Sequence, residues 1–270
     1  VAAHYAKYAP LRQYLSDNSV DPATVVQATV FTVGNPRHLA EQLQGVIDAA
    51  GAPTASNWTL CDSGVTSPCP DAEGPRACGA AHPDFHELHA LVELPIFQEG
   101  TAPYLDEGGA IAAAGGTPSV QRTEEVCLSL TVPKGAPPAE GWPTVVFAHG
   151  TGGHFRSHIE SGLAAELAAG IDDGQGTSLP VAMIGIDQVQ HGPRRNGSEE
   201  HPNDLFFNFL NPDAASGNPQ QGAADQMALL RFVPTVTFDA GGPTGEAFNL
   251  SPTVAYWGPS HSGTPGAIAA

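Results

Sequence analysis

The 270-residue sequence predicts an α/β protein, a mostly parallel sheet flanked by helices and preceded by a smaller α+β extension. Two observations predict it. From about residue 119 onward, short β-branched apolar runs alternate with stretches of helical period, the pattern of strands joined by helical crossovers. Three of those runs also end in turns of unusual chemistry. Run 144–148 empties into His149-Gly150-Thr151-Gly152-Gly153, run 181–187 stops at Asp187, and Tyr256-Trp257 leads into Gly258-Pro259-Ser260-His261-Ser262-Gly263. Open α/β sheets bind ligands beyond the carboxyl ends of their strands, so these turns mark the expected site.

The elements follow in order. Residues 25–33 read as a strand, and Asn35 then caps a helix with Pro36 at its first position and an end near Gly51. Leu39, Leu43, Val46 and Ile47 share one face of it, which assigns the helix to packing. A loop rich in Pro, Gly and Cys precedes a strand at about 87–97, and the Gly/Ala-rich stretch 108–116 reads as a linker. That places a boundary near residue 118, with an extension at 1–118 and the main domain at 119–270. In the main domain, strands are expected at 126–132, 144–148, 181–187 and 254–258. One helix at 155–169 carries Ile159, Leu163 and Leu167 on one side. A second, capped by Asn218 with Pro219 behind it, runs to about 232.

Composition excludes several partners. Twenty-eight acidic against 10 basic side chains give a formal charge of −18, which repels nucleic acid and anionic lipid. No stretch approaches the roughly 18 apolar residues of a membrane span. Hydrophobic residues make up 41% of the chain, enough to build a core.

Cys61, Cys69 and Cys78 crowd the loop, while Cys127 lies in an alternating strand pattern. Four cysteines allow two disulfides of unassigned pairing, with zinc as the competing use; no C-x-x-C pair is present. Stapled loops belong to oxidising compartments, so a secreted, periplasmic or cell-envelope location is expected. A metal site on His82, His86 and His89 needs a helix there, and Pro83 with the strand-like sequence after it opposes one. No cofactor or metal is expected.

A serine hydroxyl becomes a nucleophile only when a base takes its proton and fixed donors hold the oxyanion. A sharp strand-to-helix turn exposes such a serine, with small residues two positions to either side. Gly258 and Ser262 flank Ser260 in this way, although glycine is the commoner residue at the second place. The backbone N–H of His261 and that of Thr151 or Gly152, in a glycine turn about 110 residues earlier, are the candidate oxyanion donors. His149 is expected to brace that turn. Asp187 and His191 are candidate pocket residues and a secondary acid/base pair. Leu205-Phe206-Phe207-Asn208-Phe209-Leu210 reads either as a wall facing the substrate or as a buried turn.

These residues resemble the α/β-hydrolase family, in particular bacterial esterases and lipases with an HGxGG oxyanion turn. The resemblance covers about residues 119–270, the first half of that fold through the nucleophile strand. It implies that Ser260 is the nucleophile of an acyl-enzyme mechanism on small or polymeric carboxylic esters. It also implies that the acid and histidine follow the serine, on a second polypeptide or a C-terminal remainder, so that the domain here is incomplete. The alternative is a non-catalytic binding or structural module on the same sheet.

Overall fold

The alternating runs pair into one sheet because each offers an apolar face to both of its sides. In the computed structural model, which describes residues 2–31, 35, 37–172, 174 and 176–270, the strands are β1 (Ala55–Leu60), β2 (Phe85–Ile96), β3 (Arg122–Pro133), β4 (Trp142–Phe147), β5 (Ile171–Asp172), β6 (Ser178–Leu179), β7 (Ala182–Ile186), β8 (Thr237–Phe238) and β9 (Phe248–Trp257). The helices are α1 (Ala2–Lys7), α2 (Ala9–Asp17), α3 (His38–Ala50), α4 (Ser157–Glu160), α5 (Leu163–Ala169), α6 (Pro202–Phe207), α7 (Pro212–Phe232) and α8 (Gly263–Ala269). β5 and β6 form a separate ribbon, and the other strands form a seven-stranded sheet in the order β1-β2-β3-β7-β4-β9-β8.

The sheet is mixed rather than mostly parallel. β4 runs parallel to β7 and β9, whereas β1 with β2, β2 with β3, β3 with β7 and β8 with β9 are antiparallel. The expectation of a parallel sheet holds only where helices supply the crossovers. β2 and β3 are joined without an α-helix, and such a connection returns the chain antiparallel.

Alternate residues of each strand fill opposite faces. On one face, Leu88, Val92, Leu128, Leu130, Val146 and Ile184 pack against Leu43 and Ile47 of α3 and Met227, Ala228 and Leu229 of α7. On the other, Val145, Phe147 and Met183 meet Ala164, Leu167 and Ala168 of α5. Ile184 is completely buried, and truncating such a residue to alanine costs about 2–5 kcal/mol. Helices on both faces of a mixed sheet make this a layered α/β architecture. No helix among the described residues is long and apolar enough to cross a membrane.

The chain divides into compact units at Val1–His38 and Leu39–Ala270, not near residue 118. The first unit holds α1, α2 and a short 3-10 turn, Pro22–Thr24, whose start is capped by the Asp21 carboxylate on Ala23 N at 2.9 Å. Within the second unit β2 and β3 pair along their whole length, which joins the expected extension to the expected main domain. The expected linker is also packed: Ala112 N donates to Phe97 O at 2.8 Å, and a Cβ on Gly109 would lie 2.8 Å from Ala214 Cα.

Three further elements differ from the sequence pattern. Residues 25–31 run as irregular chain with Val26 fully exposed; β-branched content without a partner strand does not make a strand. Residues 32, 33 and 36 of the expected strand and cap lie outside the described residues. The helix expected at 155–169 is split into α4 and α5 by Gly162 at φ 81°. α7 begins earlier than expected, with Asn211 accepting from Asp213 N and Ala214 N. Asn218 is an interior residue whose Nδ2 donates to the carbonyls of Leu205 and Phe206, and Pro219 sits inside the helix.

Candidate functional site

The three turns singled out in the sequence meet at one end of β4, β7 and β9. After β9, Ser260 opens a single 3-10 turn, Ser260–Ser262, that leads into α8. Its φ is +57°, a left-handed conformation that a serine adopts only under local constraint. Its side chain is exposed. Gly150, in the turn after β4, lies alongside: a Cβ there would sit 3.2 Å from Ser260 Cβ. A Cβ on Gly258 would meet the Tyr256 hydroxyl at 2.5 Å and the Ser262 carbonyl oxygen at 2.8 Å, so only glycine fits.

Ser262, which stands where glycine is commoner, has a structural reason. It is completely buried, and its hydroxyl donates to the His149 carbonyl, tying the serine turn to the glycine turn. Thr151 Oγ1 and His261 Nδ1, 3.0 Å apart, form a second tie. The His261 ring therefore points to Thr151, and it stacks on His191 with centroids 5.2 Å apart and planes 4° from parallel.

His149 donates from Nδ1 to Gly150 O at 2.8 Å and accepts the Gln188 N–H at Nε2, at 3.0 Å. This braces the glycine turn against the turn after β7. His191 donates from Nδ1 to Val189 O at 2.9 Å, and its Nε2 accepts the Gly152 N–H at 3.0 Å. In each ring Nδ1 donates to a carbonyl and Nε2 accepts a backbone N–H, the pattern of a neutral imidazole. Burial is the main cause of their depressed pKa values: His149 lies well below the ordinary histidine range and His191 is at about 4. His261 is likewise pushed to about 4, by burial first and then by the neighbouring His191.

Asp187 does not pair with His191. Its carboxylate, fully buried, receives Arg76 Nη1 at 2.8 Å and Nη2 at 2.7 Å, together with the Phe155 N–H at 3.1 Å. Its carbonyl accepts from Arg194, which forms a buried ion pair with Asp225 of α7 at 2.6 Å. Arg156, after the glycine turn, binds both oxygens of Glu87 and the Pro75 carbonyl. Burial raises the Glu87 pKa, but hydrogen bonds from His89 and Arg156 outweigh it and hold the carboxyl at about 2. Arg76, Arg156, Glu87 and Asp225 carry no sequence signal as a group. Arg76 and Asp187 are 111 residues apart, and a loop arginine has no periodicity to betray its partner.

The apolar segment 205–210 divides. Leu205 and Phe206 are buried, with Phe206 4.5 Å from the His261 ring, while Phe209 and Leu210 are 86% and 94% exposed. The histidines at 82, 86 and 89 do not converge. His82 stacks on Phe85, His86 lies 3.5 Å from Glu246, and His89 on β2 bonds Ser67 and Glu87. The metal-type group among the described residues is Cys61, Cys78 and His89, with ligand atoms within 4.8 Å of one another. There the two sulfurs are joined as a disulfide and both His89 nitrogens have partners, so the group has no free ligand set.

The chain is similar to an acetyl xylan esterase from Paenibacillus sp. R4, at 17% identity and a TM-score of 0.48, over 89% of this chain and 57% of that one. It is also similar to a cold-adapted esterase from an Arctic intertidal metagenomic library, at 18% identity and a TM-score of 0.33, over 70% of this chain and 56% of that one. It thus spans a little over half of the length of each. No protein-family model and no curated protein matches the chain.

Proposed function

We propose that the protein is a serine hydrolase of carboxylic esters with Ser260 as nucleophile. The observation that carries this reading is Ser260 itself: a non-glycine residue at φ +57°, exposed on a strand-to-helix turn and set against Gly150 of a glycine-rich turn. Attack by its hydroxyl on an ester carbonyl forms an oxyanion, which the backbone N–H groups of His261 and Thr151 receive. Gly152 is the weaker donor, since its N–H is already given to His191. The released alcohol leaves an acyl-serine that water hydrolyses.

No histidine or carboxylate is hydrogen-bonded to the Ser260 side chain among the described residues. The outer edge of β9 beyond Leu250 has no strand partner among the described residues and is an open pairing edge. The Cys61–Cys78 disulfide favours a secreted, periplasmic or envelope setting.

The test is labelling with a fluorophosphonate together with hydrolysis of p-nitrophenyl acetate, in the wild type and in Ser260→Ala. Loss of both in the variant supports the assignment, and labelling that persists in Ser260→Ala overturns it. A wild type that neither labels nor hydrolyses, with all encoded sequence present, favours a non-catalytic module.

A further inference from the structure

Two cysteines take part in neither the disulfide nor the candidate site. Cys69 and Cys127 are free and buried, at 5% and 2% exposure, and share one small cluster with Leu91 and Phe155. Cys127 lies on β3 opposite Leu91 of β2. Cys69 lies midway along the loop that Cys61 and Cys78 close, and its Sγ is 3.7 Å from the carbonyl of Ala90, the residue before Leu91. The loop thus lowers Cys69 onto the sheet face from which Cys127 projects, and both sulfurs lie in the one buried cluster with Leu91 and Phe155.

We propose that Cys69 and Cys127 are the site of a second disulfide, formed in the same oxidising surroundings as Cys61–Cys78, which ties the middle of the loop to the middle of the sheet. The oxidant is a disulfide donor, written RSSR. The Cys69 thiolate attacks one donor sulfur; the donor S–S bond breaks, a mixed disulfide forms on Cys69 and RS⁻ leaves. The Cys127 thiolate then attacks the Cys69 sulfur and expels the second RS⁻. The protein loses two electrons and two protons, and the donor gains them as two molecules of RSH. Cys69 is assigned as the first to react because its loop lies outside the sheet ladder, whereas Cys127 is held in a central strand.

The bond would have a consequence at the strand ends. Arg76 belongs to the same loop, with Nη2 3.9 Å from Cys127 Sγ while the guanidinium holds Asp187. Anchoring the loop at Cys69 restricts its excursions and keeps Arg76 on that carboxylate.

The experiment uses the wild-type chain, so failure of a variant to fold cannot obscure it. Native protein is equilibrated with oxidised and reduced glutathione, quenched in acid, denatured and alkylated with iodoacetamide without reduction. It is then digested with a protease that cuts before Asp62, separating Cys61 from Cys69, and the peptides are mapped by mass spectrometry. A linked pair containing Cys69 and Cys127, with no alkylated cysteine, is expected. Alkylation of both residues while Cys61–Cys78 stays linked would overturn the proposal, and so would linkage of either to Cys61 or Cys78.

Discussion

His191 and Gly152 are joined by a hydrogen bond of unusual direction: the imidazole Nε2 is the acceptor, at 3.0 Å, for the backbone N–H of a glycine in the adjacent turn. The bond exists only while His191 is neutral, and burial keeps it so by pushing its pKa to about 4. The turn after β7 thereby holds the shape of the turn after β4. His191→Ala should cost about 0.5–1.5 kcal/mol of stability, the usual net worth of one hydrogen bond, since Gly152 itself is exposed. It should also lower ester hydrolysis by roughly tenfold or more through a loosened oxyanion turn. His191→Gln, whose carbonyl oxygen can accept the same N–H, should recover part of both. Equal rates and urea midpoints for all three proteins would sink the idea.

Arg76 and Asp187 form a bidentate pair whose carboxylate has no solvent exposure. Removing the guanidinium alone leaves a buried, uncompensated charge, so Arg76→Leu should destabilise by about 3–5 kcal/mol. The double variant Arg76→Leu with Asp187→Leu should lose less than the single one, because both charges go. Urea unfolding of the singles and the double, read as a mutant cycle, checks this. A single-variant cost below about 1 kcal/mol would show that the pair is solvated in solution.

The turns of the candidate site were more legible in the sequence than the frame around them. Glycine, histidine and serine at strand ends are local signals, because turn conformations demand particular residues at particular places. Gly258 and Gly150 are required by contacts with Tyr256, Ser262 and Ser260. Helix α3 was legible for a similar reason, with Leu43 and Ile47 on a single buried stripe. The antiparallel course of β2 and β3 was hidden because strand direction depends on long-range pairing, which periodicity does not encode. Asn218-Pro219 imitates a helix start so well that only the earlier cap at Asn211 and the buried contacts of Asn218 reveal a continuous α7. The clamps Arg76–Asp187 and Arg156–Glu87 were unreadable, since each joins a loop to a distant strand end.

His158 supplies an acid-lability prediction. It is completely buried and neither ring nitrogen has a partner among the described residues; burial pushes its pKa to about 3. In the unfolded chain it titrates near 6.5. Between these values the unfolded state binds the proton and the folded state does not, so the stability present above pH 6.5 is lost as the pH falls. At pH 4.5, two units below the unfolded value, this one residue removes about 2–3 kcal/mol. His158→Leu should leave stability at pH 7 equal or higher, and should flatten the decline between pH 6.5 and 4.5 by that amount. Urea midpoints at both pH values decide it, and an unchanged slope would mean that the ring is hydrated.

Ser260 offers a test of strain that does not depend on turnover. A serine held at φ +57° carries roughly 1–3 kcal/mol of backbone strain, whereas glycine adopts this conformation freely. Ser260→Gly relieves the strain but gives the unfolded chain about 0.4–1 kcal/mol more conformational entropy to lose. The net expectation is a gain of about 0–2.6 kcal/mol in unfolding free energy. Ser260→Ala keeps the Cβ and therefore the strain, and since the Ser260 side chain is exposed, it should unfold within about 0.5 kcal/mol of wild type. If Ser260 is the nucleophile, both variants lose activity while only one gains stability. That contrast separates a serine kept for its hydroxyl from one kept for its fit to the turn. A glycine variant less stable than the alanine variant would remove the strained elbow from the argument.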